Sequence, residues 1–138
     1  MIISLPQYVE WSEIDSIIGK LSNMISKSTR TFSSMSTISR GGLVPSRLLA
    51  DHLGIEKIFV DEPRISYNSL FVDDIFDSGK TFEKIISKID NPSKLFYVTL
   101  FARCGKTYPS QLIYGQETND DAYVVFPWDK LEFERTRN

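Results

Sequence analysis

The chain has 138 residues, 41% of them hydrophobic and 25% charged, with a net charge of -2. That is the length of one domain with enough apolar side chains for a core, and it lacks the basic excess that nucleic acid or an acidic membrane surface demands. The single cysteine, Cys104, and the single histidine, His52, exclude an internal disulfide, a CxxC site and a paired-histidine metal site.

The N-terminal string MIISLPQYVEW has no basic stretch ahead of a long apolar run, so it does not read as a secretory leader. No window approaches the roughly 18 uninterrupted apolar residues of a membrane span, and a cytoplasmic protein is expected. No repeat or low-complexity block divides the chain, so residues 1–138 read as one domain. Ile14, Ile17, Ile18, Leu21, Met24 and Ile25 recur at three-to-four spacing and predict a helix over residues 7–25, with Pro6 at its start and Trp11 in the core. Phe32, Met35 and Ile38 place a buried strand within residues 29–39, ending at Gly41 and Gly42.

Residues 43–53 read as a helix closed by Gly54. Residues 57–60 and 70–72 read as short buried strands, and 81–89 as a helix stopped by Asn91 and Pro92. Residues 95–101 form the strongest strand signal, followed by strands at 112–114 and 123–126. Strands alternating with helices predict an α/β fold, a mostly parallel sheet flanked by helices, whose ligands bind beyond the carboxyl ends of the strands.

Both glycine-containing loops fall at such ends. In LFVDDIFDSGKT, Asp73 and Asp74 end an apolar strand, and Asp77, Ser78, Gly79, Lys80 and Thr81 turn into a helix whose first N–H groups suit a phosphate. Gly79-Lys80-Thr81 matches the end of a nucleotide-triphosphate loop. That motif requires glycine where Asp74 stands, and carboxylates occupy the space a triphosphate would wrap, so the reading fails. Two adjacent carboxylates beside a phosphate site instead suit a ribose, whose vicinal hydroxyls they accept while sharing a magnesium water shell. The second loop, Ser39-Arg40-Gly41-Gly42, joins a permanent forked cation to backbone able to approach an anion closely.

The first string resembles the 5-phosphoribosyl 1-pyrophosphate (PRPP) motif of the type I phosphoribosyltransferase family. The resemblance implies the fold of that family, with a small hood from the C-terminal segment covering the base. It places the ribose hydroxyls on Asp73 and Asp74, the base on Asp77 as catalytic residue, and the 5-phosphate on Asp77, Ser78, Gly79, Lys80 and Thr81. The string SRGGLVP is similar to the pyrophosphate loop of bacterial xanthine–guanine phosphoribosyltransferases, which assigns Arg40, Gly41 and Gly42 to pyrophosphate. Arg103 stands where the family has a lysine reading the purine 6-oxo group; Tyr123 would stack on the ring and Val124 would offer main-chain groups to its edge.

What the resemblance implies, then, is transfer of a 5-phosphoribosyl group from PRPP to hypoxanthine, guanine or xanthine in purine salvage. Magnesium would be held through Asp73 and Asp74, with Asp129 touching its water shell. A homo-oligomer, dimer or tetramer, is implied, with no nucleic-acid or membrane partner. The departure is the linker at residues 61–69, much shorter than the flexible loop that closes over the family's reacting centre. Slower turnover, more hydrolysis or a lid from a neighbouring subunit is expected, and a PRPP- or nucleotide-binding regulator without efficient turnover is the alternative.

Overall fold

The apolar strands assemble into a wholly parallel five-stranded sheet of order β3-β2-β4-β5-β6. Its strands are β2 (Ser34–Thr37), β3 (Ile58–Val60), β4 (Ser69–Phe76), β5 (Tyr97–Ala102) and β6 (Leu112–Glu117). The computed structural model describes residues 5–136; residues 1–4 of the N-terminal string and the last two of the expected domain lie outside the described residues. Helix α1 (Trp11–Ser26) and helix α2 (Leu43–Leu53) cover one face, and α3 (Lys80–Ile86) serves the other. Side chains alternate across the pleat: Leu70 and Val72 pack under α1 and α2, while Phe71 points the other way and stacks on Tyr97 at 5.0 Å. No helix among the described residues is long and apolar enough to cross a membrane.

The apolar stripe of α1 behaves as its spacing predicts, with Ile14, Ile17, Ile18, Leu21 and Ile25 buried. Its start does not. The helix begins at Trp11, after a capping box between Glu10 and Glu13, rather than at Pro6. Gln7 and Tyr8 are drawn off as strand β1 (Gln7–Tyr8), which pairs in parallel with β7 (Val124–Val125) from the far end of the chain. Trp11 is 52% exposed and not in the core; its ring meets Trp128 at 5.8 Å, at the seam between α1 and this small sheet. A 3-10 turn at Pro127–Asp129 then runs into α4 (Lys130–Thr136). The expected C-terminal hood therefore takes a strand from the N-terminal segment as well.

Three other expectations are corrected. Strand β3 is an edge strand with Phe59 and Val60 exposed, because nothing pairs beyond it and no helix joins it to β4. Strand β4 continues four residues past Val72, so Asp73 and Asp74 lie within it; the register Asp73↔Thr99, Ile75↔Phe101 and Phe76↔Ala102 extends the ladder with β5. Helix α3 stops at Ile86, because the chain turns back to bring Ile89 into a bridge with Ile65.

That bridge fixes the short linker between β3 and β4. Ile65 N–H donates to the Lys88 carbonyl (3.0 Å), Asp90 N–H to the Ile65 carbonyl (3.2 Å), and Tyr67 N–H to the Asp90 carboxylate (2.9 Å). Arg30 adds a bond to the Tyr67 carbonyl at 2.8 Å. The linker is strapped beside the end of α3.

Candidate active site

Strand β4 delivers its acidic residues to the carboxyl edge of the sheet. Gly79 then takes a left-handed conformation (φ 87°) as N-cap of α3, a turn that favours glycine. Asp73, Asp74 and Asp77 through Thr81 line a cavity of about 160 Å³ together with Tyr97. Tyr97 is buried beside Asp73 and Asp74, and its phenol pKa is raised, by burial first and then by their charges.

Asp73 is 5% exposed, and burial followed by the charge of Asp74 holds its carboxyl well above the usual range; burial raises Asp74 as well. Each carboxylate accepts one nearby backbone N–H, Asp73 from Asp74 (2.8 Å) and Asp74 from Ile75 (2.7 Å). Neither has a cationic partner at salt-bridge distance among the described residues. Such a pair is arranged to receive donors from outside.

Because β2 and β4 are neighbours, the Arg40–Gly41–Gly42 turn lies directly against these carboxylates. A Cβ on Gly41 would stand 2.5 Å from Oδ2 of Asp74, and one on Gly42 would meet Thr37 Oγ1 and the Val72 carbonyl (2.8 Å). Close approach is the reason for both glycines. Gly42 N–H closes the turn on the Ile38 carbonyl at 3.1 Å, and Arg40 is exposed at its tip. Ser39, which precedes it, donates its N–H (2.8 Å) and its hydroxyl to the carboxylate of Asp61, a residue the sequence did not single out.

On the other side, Arg103 extends from β5 and is 8% exposed. Its Nε donates to Asp77 Oδ1 (3.0 Å) and Nη2 to Oδ2 (3.4 Å), while Nη1 donates to the carbonyls of Asp120 (3.1 Å) and Ala122 (2.7 Å). Four of its five N–H groups are thus directed at protein acceptors, tying Asp77 to the hood. Tyr123, next to Ala122, is 61% exposed and stacks on Phe133 at 5.5 Å. Gln7 N–H bonds the Tyr123 carbonyl, so parallel pairing turns the N–H and C=O of Val124 away from β1. Trp128 packs, stacked on Phe126 at 4.9 Å, and His52 is exposed.

Asp129, in the 3-10 turn after β7, is near enough to Asp74 and Arg40 to feel both charges. Burial and then the charges of Asp74 and Glu132 push its pKa up to about 6, against a lowering by Arg40. A carboxyl with a raised folded pKa still holds its proton where the unfolded chain has lost it. Stability therefore falls as pH rises from near 3.8 to about 6, then stays level. Asp129→Asn should melt higher than the parent by about 2–5 °C at about pH 7.5 and equally at about pH 4, read by calorimetry. Among the described residues no three His, Cys, Asp or Glu side chains are grouped to hold a metal directly. Asp73, Asp74 and Asp129 suit an ion held through water or ligand hydroxyls.

A parallel sheet carrying these two loops at its carboxyl edge, with a hood above them, is the type I phosphoribosyltransferase fold, which the chain shares with solved purine phosphoribosyltransferases. Among curated proteins it is similar to the xanthine-guanine phosphoribosyltransferase of Gluconobacter oxydans, 27% identical over 144 residues that cover 88% of this chain and 83% of that one. The solved xanthine-guanine-hypoxanthine phosphoribosyltransferase of Helicobacter pylori superposes with a TM-score of 0.76 at 15% identity, over 96% of this chain and 99% of that one. The purine phosphoribosyltransferase of Pyrococcus horikoshii gives 0.70 at 22% identity, over 89% and 93%. No family model matches the chain.

Proposed function

We propose that the protein transfers the 5-phosphoribosyl group of PRPP to a ring nitrogen of a 6-oxopurine (hypoxanthine, guanine or xanthine), releasing pyrophosphate, as in purine salvage. The observation that carries this reading is the contact of Gly41 with the Asp74 carboxylate. It sets an anion loop and a ribose-facing carboxylate pair side by side, with the phosphate-loop cavity continuing from the latter.

Residues 77–81 hold the 5-phosphate, and Asp73 and Asp74 accept the ribose hydroxyls. Those hydroxyl donors offset the desolvation that raises both carboxyl pKa values. Arg40 and the amides around Gly41 and Gly42 take the pyrophosphate. As the anomeric C–O bond to pyrophosphate breaks and the C–N bond to the base forms, Asp77 takes the proton from the base's imidazole ring. Tyr123 covers the base, Val124 meets its edge, and Arg103 keeps Asp77 facing it. Asp73 and Asp74 would hold magnesium through water or the ligand's hydroxyls, and the ion would supply charge neutralisation for the pyrophosphate.

A second reading has one observation in its favour: the short linker is bonded beside the end of α3, through Lys88, Ile89 and Asp90. A PRPP- or nucleotide-binding regulator needs no closure. Incubation with PRPP, magnesium and a panel of purines and pyrimidines, followed by assay of pyrophosphate and nucleotide, separates the two. Nucleotide from 6-oxopurines is expected. Tight PRPP binding with no product from any base selects the regulator, and product from pyrimidines alone overturns the purine assignment.

A further inference from the structure

We propose that Asp61 is the positioning residue of the pyrophosphate loop, fixing where Arg40 points; this rests on the assignment of that loop above. Asp61 follows the last residue of β3 and has a left-handed backbone (φ 56°), a conformation Asp tolerates better than most side chains. Its own N–H donates to the Thr37 carbonyl at 3.0 Å, which carries the β2–β3 pairing one step beyond Val60. The carboxylate is thereby anchored to the strand that leads into the loop. From there it receives both donors of Ser39, the backbone N–H at 2.8 Å and the hydroxyl.

The loop is consequently held at two places. Its far side is closed by Gly42 N–H on the Ile38 carbonyl (3.1 Å), and its near side by Asp61 on Ser39. Arg40 lies between these anchors. The lysines of α3 and the following turn are not the object of the Asp61 carboxylate: Lys84 and Lys88 line the adjoining cavity of about 180 Å³, but no ion pair joins either to Asp61 among the described residues. The two Ser39 bonds, ahead of those lysines, hold the Asp61 carboxyl below its ordinary range. In a protein whose linker is strapped down, this clasp gives the loop its shape before any ligand arrives.

Asp61→Gly keeps the left-handed backbone and removes the acceptor; Asp61→Asn keeps one acceptor oxygen. Calorimetric titration of the parent and both variants with pyrophosphate plus magnesium, and separately with ribose 5-phosphate, tests the assignment. Asp61→Gly should bind pyrophosphate about tenfold more weakly, Asp61→Asn should recover part of that loss, and ribose 5-phosphate should change by less than about twofold. Unchanged pyrophosphate binding in Asp61→Gly, or equal losses for both ligands, overturns the inference while leaving the functional reading intact. A parent chain that binds neither ligand overturns that reading itself.

Discussion

Gly41→Ala should weaken PRPP binding by about a hundredfold. The added Cβ would stand 2.5 Å from Oδ2, 2.9 Å from Cγ and 3.0 Å from Oδ1 of Asp74, far inside van der Waals contact. Two relaxations are open. Asp74 can swing away, giving up its bond to Ile75 N–H at 2.7 Å and the ribose-facing place proposed for it, or the loop can lift and carry Arg40 out of line. Either would separate the proposed pyrophosphate site from the proposed ribose site, and binding that depends on both should fall by the roughly 2–3 kcal/mol of one charged contact pair. Truncation of the opposing side chain isolates the cause. In Gly41→Ala with Asp74→Ala the clash is gone, so the melting temperature lost in the single variant should return while PRPP binding stays weak. PRPP affinity within about threefold of the parent in Gly41→Ala would show that the two loops do not act together.

Asp77→Asn should lower kcat by about 10²–10³-fold and leave PRPP affinity within a few-fold. The amide keeps the shape of the carboxylate and one acceptor for Arg103 Nε, so the buried guanidinium retains that contact and both hood carbonyls. What disappears is the capacity to take a proton. Because the Asp77 side chain is 58% exposed, its ion pair with Arg103 contributes about 0–1 kcal/mol, and the melting temperature should move by a few degrees at most. Pre-steady-state measurement of the transfer step and direct PRPP titration give the two numbers. A kcat close to the parent's would remove Asp77 from proton transfer and leave it a phosphate-loop residue.

The sheet and its helices were readable because burial writes a period into the chain. Ile14, Ile17, Ile18, Leu21 and Ile25 state a helix face, and the apolar run on β5 states a strand buried on both sides. The extent of β4 was not readable. Aspartates are poor strand residues, and only the neighbouring β5 ladder keeps Asp73 and Asp74 in register. Strand β1 left no local signal either, since Gln7 and Tyr8 become a strand only through residues 124 and 125. Trp11 likewise meets a ring far away in sequence, Trp128.

At the site, residue type spoke clearly where chemistry is intrinsic: paired carboxylates, a glycine turn, a strand-end cation. Partners were silent. Nothing near Arg103 in sequence announces that it clasps Asp77 and the carbonyls of Asp120 and Ala122, and nothing marks Asp61 as the acceptor for Ser39, twenty-two residues away. The shortness of the linker could be counted, but its attachment could not. One apolar residue in a polar run, Ile65, makes the bridge to Ile89 that straps it down.

Base-dependent release of pyrophosphate tests the central claim most directly. With PRPP and magnesium, addition of hypoxanthine, guanine or xanthine should produce pyrophosphate and the matching nucleoside monophosphate in equal amounts, well above the release seen without base. Pyrophosphate release that is the same with and without every base, with no nucleotide formed, would contradict it.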